Sequence, residues 1–333
     1  MKPFGISHPK TKLMSLVTLL ALLFFPLVVL AQSGSGYNLE WNTIDGGGHT
    51  FSSGGSYSLG GTLGQPDAGA LSGGVYTLSG GFWSDVAPQA AIRYAAPTAV
   101  GSGDCSSWDN ACTLQYALTN AVSGDEIWVK AGTYTPGSTR TDSFRIQRNV
   151  QLYGGFAGTE TARNQRNWMA NPTILSGDIG TAGDNSDNAY HVVYVDGTTA
   201  NGSITGATVI DGFTITAGNA NGGVWPHIAG GGLYCNGAGS GYECSPTLQN
   251  VTFSGNTATN SGGGMYNNGS SGTSSPTLRN VTFSDNSAQY YGGGMYNNGS
   301  SGTSSPTLRN VTFSDNSAQY YGGGMYNNGS SGT

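Results

Sequence analysis

The sequence predicts an all-β protein: a solenoid of stacked coils with parallel strands, a short helix capping its N-terminal end, and a small Gly-rich β module ahead of it. Three features predict this. The 30 residues VTFSDNSAQYYGGGMYNNGSSGTSSPTLRN at 281–310 begin again without a change at 311–333, and the copy at 245–274 differs from 275–304 at six positions, all between 249 and 261. With 56 glycines in 333 residues, the chain is poor helix material. Aromatic and β-branched residues nevertheless recur at fixed spacing, which sets the chain apart from a disordered polar one.

Residues 1–31 read as a signal peptide. Lys2, Lys10 and Lys12 precede the apolar run LMSLVTLLALLFFPLVVLA, and Val29 and Ala31 form the small-residue cleavage pattern, so the mature chain is expected to start near Gln32. A retained membrane anchor is the alternative reading of so long a run. No later stretch is apolar enough to cross a bilayer as a helix, so no membrane span is expected in the mature chain. Loss of the three lysines takes the formal charge from −6 to −9. Such a surface repels nucleic acid and anionic lipid, and neither is an expected partner.

Residues 32–86 form the small β module. Within it GGSYSLGG at 54–61 and GGVYTLSGG at 73–81 repeat at a spacing of 19 and put Tyr57, Leu59, Tyr76 and Leu78 on hairpins. The Pro/Ala-rich stretch APQAAIRYAAP at 87–97 reads as a linker. Residues 98–206 hold the cap and the first coils. In CTLQYALTNAV at 112–122, Leu114, Ala117, Leu118 and Ala121 share one helical face, suited to covering the open apolar end of a stack. DEIWVKAGTY (125–134), SFRIQRNVQLYGGF (143–156), TILSG (173–177), HVVYVDG (191–197) and ATVIDGFTIT (207–216) are short β-rich segments between polar loops.

Residues 207–333 are the repeats, with a period of 30 from position 245. An older relative of the unit, TVIDGFTITAGNANG at 208–222 with GGGLYCNG at 230–237, keeps the order of elements while its loops differ in length. One unit has too little apolar surface for a core of its own and must hide it against a neighbour. Leu278, Val281 and Phe283 can all face inward if the strand bends near Asn280, and Met295 faces inward with Tyr296 on the other side. Gly292, Gly293 and Gly294 permit a tight corner, and NNGSSGTSSP makes an exposed turn that Pro276 ends.

Coils stacked about 4.8 Å apart set each residue over its counterpart in the next coil. Asn250, Asn280 and Asn310 then form one ladder and Asn256, Asn286 and Asn316 a second, because an amide can donate to one copy of itself and accept from the other. Cys105 and Cys112 bracket SSWDNA, and Cys235 and Cys244 bracket NGAGSGYE, spacings suited to local disulfides in an oxidising compartment; a metal site is the alternative. The second pair is expected to clip an enlarged loop.

The pairing of TFSDN with GGGMY, and of FTITAGN with GGGLY, resembles the FxxN and GGA[I/L/V] repeats of polymorphic outer-membrane proteins and of other bacterial right-handed parallel β-helix proteins in the pectin-lyase-like superfamily. SSWDNACTLQYAL, GDEIWVKAGTY, LYGGFAGTE and TILSGDIG, within 93–206, resemble the part that precedes such repeats in secreted bacterial proteins. DGGGHTF, GQPDAG and GGVYTLSGGFW resemble a small module found before varied domains in exported bacterial proteins. The resemblance implies a right-handed parallel β-helix, secreted or held at the cell surface, with outer-membrane association one form of that placement.

Relatives with this fold include polysaccharide lyases and glycoside hydrolases, so catalysis has to be weighed. Hydrolysis of a glycosidic bond needs two carboxyl groups across it, and a lyase needs calcium or a base beside acidic ligands. The richest acidic stretch, SGDIGTAGDNSDNAYH, offers Asp178, Asp184, Asp187 and His191, and its carboxylates are candidate calcium ligands, although such Asp/Asn/Gly runs also build ordinary turns. No catalytic residue and no other cofactor is assigned. Asp285 and Asp315 recur identically, whereas acid and base need different environments. Arg279 and Arg309 form a charged stripe on the outer face. Tyr290, Tyr291, Tyr296, Tyr320, Tyr321 and Tyr326 either make aromatic stripes for sugar or protein surfaces or pack coil against coil. The expected function is that of an adhesin, passenger or stalk without catalysis, an extracellular polysaccharide lyase or hydrolase being the rival. Because the repeat would continue with Ser after Thr333, a longer parent chain carrying further coils and an anchoring domain is expected.

Overall fold

In the repeated coil the chain bends at residues held in the left-handed backbone region, among them Asn280, Asp285 and Gly292. In the long strand Thr277–Ser284, Leu278, Val281 and Phe283 are buried on one side. They share that side because Asn280, at φ +53°, bends the strand between Leu278 and Val281. Asn holds this conformation at low cost, since its short polar side chain bonds locally. Asp285, at φ +57°, makes the second corner and leads into the two-residue strand Ser287–Ala288. Gly292, at φ +61°, makes the third, and the strand Met295–Asn298 follows. A Cβ on the adjacent Gly293 would collide with the carbonyl oxygen of Ser317, so glycine lets the next coil close on this corner.

In the computed structural model the described residues are 90–198 and 202–330, together with short strands between residues 33 and 80. Residues 1–31, read from the sequence as a signal peptide, lie outside the described residues. The chain divides into two units, Met1–Ala87 and Pro88–Thr333. In the first, Ser52–Gly54 pairs antiparallel with Tyr57–Leu59, and Gly69–Gly73 with Tyr76–Gly80, so Tyr57, Leu59, Tyr76 and Leu78 do lie on hairpins.

In the second unit, stacked coils build three parallel sheets. The first runs from Ile92–Ala95 through Glu126–Lys130, Gln151–Phe156, Val209–Thr216 and Thr247–Ser254 to Thr277–Ser284 and Thr307–Ser314, with Gly132–Tyr134 and Thr173–Ser176 joined to it. The second runs from Phe144–Ile146 to Met325–Asn328, and the third from Asn219–Ala220 to Ser317–Ala318. Pairing holds the repeat register: Phe253 lies against Phe283 and Phe283 against Phe313, while Met265, Met295 and Met325 stack likewise. The fold is a right-handed parallel β-helix.

One continuous apolar core fills the coils from Ala95 to Met295. The Phe253, Phe283 and Phe313 rings stack in it at 4.8 and 4.9 Å. The capping helix spans Leu114–Asn120, buries Leu114, Ala117 and Leu118, and begins where the Thr113 hydroxyl accepts the Tyr116 N–H. The Cys105–Cys112 disulfide fastens this cap to the first strand, because Cys112 N–H donates to Tyr94 O and Tyr94 N–H to Cys105 O.

The stretch 87–97 departs from the linker expectation. Ile92–Ala95 is a strand paired in parallel with Glu126–Lys130. Its flanking Pro and Ala residues resemble a spacer, but Ala95 is fully buried and Arg93 pairs at 2.5 Å with the buried Asp125 carboxylate. That carboxylate also accepts the Ala91 and Val122 N–H groups, which satisfies a charge the strand brings inside.

Substitution Phe283→Ala removes the middle ring of the stack and leaves Phe253 and Phe313 facing a cavity. The expected loss is about 3–5 kcal/mol of unfolding free energy, read from urea midpoints of mature wild-type and variant chains.

Candidate binding surfaces

Both expected asparagine ladders form, and they point in opposite directions. In the outer one, Asn280 Nδ2 donates to Asn250 Oδ1 at 3.1 Å and Asn310 Nδ2 to Asn280 Oδ1 at 2.8 Å, toward the N-terminal coils. In the buried one, Asn256 Nδ2 donates to Asn286 Oδ1 at 3.0 Å and Asn286 Nδ2 to Asn316 Oδ1 at 2.9 Å, toward the C-terminal coils. Each buried amide also donates across to a backbone carbonyl, Ile215 O for Asn256 and Phe253 O for Asn286. The outer ladder ends on Asp211, whose Oδ1 accepts from Asn250 Nδ2 while its Oδ2 lies 2.5 Å from Arg166 Nη2. Beside this pair, Trp168, Thr214, Thr252, Asn250 and Asn280 line a cleft of about 300 Å³.

Two further ladders occupy the second sheet. Asn267 donates to Asn297 and Asn297 to Asn327 on the core side, while Asn268, Asn298 and Asn328 lie on the outer side. The alternation that puts Met295 inside and Tyr296 outside also puts Asn297 inside, so strand period alone was a sufficient signal. Asn268 and Asn298 donate to the hydroxyls of Tyr234 and Tyr266 in the preceding coils, at 3.0 and 3.1 Å. The Tyr194, Tyr234, Tyr266, Tyr296 and Tyr326 rings form one stack with centroids 5.1–5.7 Å apart. Arg145, in register with Tyr194, closes this stack with its guanidinium 4.6 Å from the ring centroid. Tyr296 and Tyr326 therefore serve coil packing, whereas Tyr290, Tyr320 and Tyr321 remain exposed.

His191 sits beside Tyr194 and Tyr234 and is almost wholly buried. Its Nδ1 lies 2.9 Å from Gly230 O and so carries the proton, which leaves Nε2 as a bare acceptor with no partner among the described residues. Burial pushes its pKa down to about 4, with His227 and Arg145 acting in the same direction against the Gly230 carbonyl. His227 is shifted down too, by burial and then by Arg145.

The acidic stretch is organised as turns. Asp178 accepts the Gly183 N–H, Asp184 the Ser186 N–H, and Asp187 the Thr181 N–H. Among the described residues no group of three or more His, Cys, Asp or Glu side chains is arranged to hold a metal ion. Cys235 and Cys244 are disulfide-bonded, but Cys235 lies within the strand Leu233–Asn236 and both sulfurs are buried in the core, so the bridge closes the coil interior as well as its loop. Arg279 and Arg309 are exposed, in register, on the outer face.

The third sheet carries a groove of about 470 Å³ along its outer surface. Ala258, Ala288 and Ala318 lie in it in register, flanked by Thr257, Ser287 and Ser317 and by Thr259, Gln289 and Gln319. Comparison with protein-family models, curated proteins and solved structures finds no match to this chain.

Two measurements follow from the ladders and from His191. Asn286→Asp replaces a buried donor with an acceptor-only charge between two copies of itself, at an expected cost of about 3 kcal/mol or more in urea unfolding, whereas Asn280→Asp on the exposed ladder costs about 1 kcal/mol or less. Because His191 is held neutral in the fold and is free to protonate when unfolded, stability falls as pH drops from about 6.5 to 4. The part due to His191 is roughly 3 kcal/mol, and His191→Phe removes it, leaving the slopes due to His227 and, toward pH 4, to carboxyls held below their usual range such as Asp142 and Glu160.

Proposed function

We propose that this protein is an exported surface scaffold, an adhesin, passenger or stalk of bacterial origin, whose coils present the same binding face several times over. The repeat identity carries the reading. Side chains facing solvent recur unchanged from 275–304 into 305–333, which multiplies a weak contact along those coils. Catalysis asks for the reverse, two groups held in different environments. Two disulfides suit an oxidising, extracytoplasmic compartment, and the acidic surface suits neither nucleic acid nor anionic lipid. Carbohydrate or a surface protein is the fitting class of partner, in line with the likeness of TFSDN and GGGMY to polymorphic outer-membrane repeats. The rival, a polysaccharide lyase or glycoside hydrolase, needs carboxyls across a sugar bond, yet Asp178, Asp184 and Asp187 are engaged as turn acceptors.

The mature chain, incubated with immobilised neutral and acidic polysaccharides and with surface glycoprotein, is expected to be retained reversibly. No new reducing ends and no unsaturated uronate absorbance should appear. Release of either product, lost on changing Asp178, Asp184 or Asp187, would replace the scaffold reading with the enzyme.

A further inference from the structure

We infer that the groove on the third sheet binds a linear, uncharged polysaccharide lengthwise, roughly one sugar to each coil spacing of about 4.8 Å. The inference rests on the scaffold reading and names its ligand class and place.

Charge selects among polymers first. Every residue lining the groove is neutral, from Asn219 to Gln319. A uronate or sulfated chain would find no cation there and would approach a protein of net charge −6. Hydrogen-bonding capacity selects next. The hydroxyls of Ser287 and Ser317 and the exposed carboxamides of Gln289 and Gln319 make no hydrogen bond to the described residues. Thr257 and Thr259 differ, since their hydroxyls are used on Asn219 Oδ1 and Ala220 O. Each spare carboxamide offers two donors and an acceptor, the complement of a sugar's neighbouring hydroxyls.

Aromatic surface supplies the third element. Tyr290 and Tyr320, the residues that follow Gln289 and Gln319, are 36% and 56% exposed, and their rings stack at 5.3 Å. Rings of this kind give an apolar face for sugar C–H groups and a hydroxyl at the edge. The alanines Ala258, Ala288 and Ala318 run in register along the groove, and because Ala258 and Ala288 are 6% and 7% exposed the ligand's contacts come from the side chains on either side of them. An extended peptide is the weaker fit, because it binds through main-chain groups at an open strand edge and this groove offers side chains along a sheet face.

The geometry also predicts how affinity depends on length. The Gln289–Tyr290 contact recurs as Gln319–Tyr320 in the next coil, so binding strengthens as the ligand comes to span both and weakens when one of them is removed. Deleting 281–310 takes out one whole repeat and rejoins Asn280 to Val311, restoring the same sequence across the junction.

The test is calorimetric titration of the mature chain with β-1,4-glucan, β-1,3-glucan and β-mannan oligosaccharides of two to six sugars, with polygalacturonate and an extended neutral peptide as comparators. The expected result is binding to at least one neutral series, tightening with length, and weakened about tenfold or more by the joint substitution Gln289→Ala with Gln319→Ala. Both side chains are exposed, so that variant leaves the fold intact; Ser287→Trp, which covers the groove from the outer face, and the 281–310 deletion give independent readouts. Absence of binding to all three series, or preference for polygalacturonate or the peptide, overturns the ligand class. Neutral-glycan binding unchanged in all three variants overturns the place. In each of these cases retention on surfaces without turnover leaves the scaffold reading standing, while polymer cleavage removes that reading itself.

Discussion

Outside the six positions at which 245–274 differs, every side chain in the repeats lies against a copy of itself, and the rest of the structure depends on that one constraint. A residue type is admissible inside the stack only if it is attracted to its own kind. Phenylalanine meets it by ring stacking and methionine by shape, as along Phe253, Phe283 and Phe313. Among polar residues only an amide offers both donor and acceptor in a fixed plane, hence asparagine at the buried 256 and 286 positions and at 316 above them. Charges repel their copies, so Arg279 and Arg309, and Asp285 and Asp315, are kept to the outside, where water screens them.

A column of like residues must also stop somewhere, and the special residues cluster where the columns stop. Asp211 accepts the last donor of the outer asparagine ladder, and Asp196 stands in register at the head of the Asn236, Asn268 and Asn298 column. A carboxylate is acceptor-only and so fits the end of a column that donates toward it. Arg145 closes the tyrosine stack by presenting a cation to the ring face. The Asn267 column has no such terminator: the next position is Cys235, committed to a disulfide, and Asn267 Oδ1 is left without a partner among the described residues.

Most of the fold was legible because the repeat turns a long-range question into a local one. Knowing that position 280 lies over position 250 supplies the pairing register, and the period of two supplies the faces. The bend at Asn280 and the inward trio Leu278, Val281 and Phe283 followed from that, while the capping helix was legible separately from the helical spacing of Leu114, Ala117 and Leu118. Ile92–Ala95 was not legible, because its strand identity depends on Glu126–Lys130 and on a buried Arg93–Asp125 pair that no local pattern announces. The surfaces were less legible still. The tyrosines divide between packing and exposure according to which bend precedes them, and the groove on the third sheet comes from two-residue strands too short to register as a pattern.

The opposed directions of the asparagine columns bear on how such a molecule can lengthen. Each amide carries a dipole, and in a single ladder those dipoles would add with every coil, building an axial moment much as a helix does. Here the Asn256 and Asn267 columns donate one way and the Asn250 and Asn268 columns the other, so the axial moments offset within each coil. A coil added by duplication therefore extends opposed asparagine columns together, and the ladders lengthen without their amide dipoles adding along the axis.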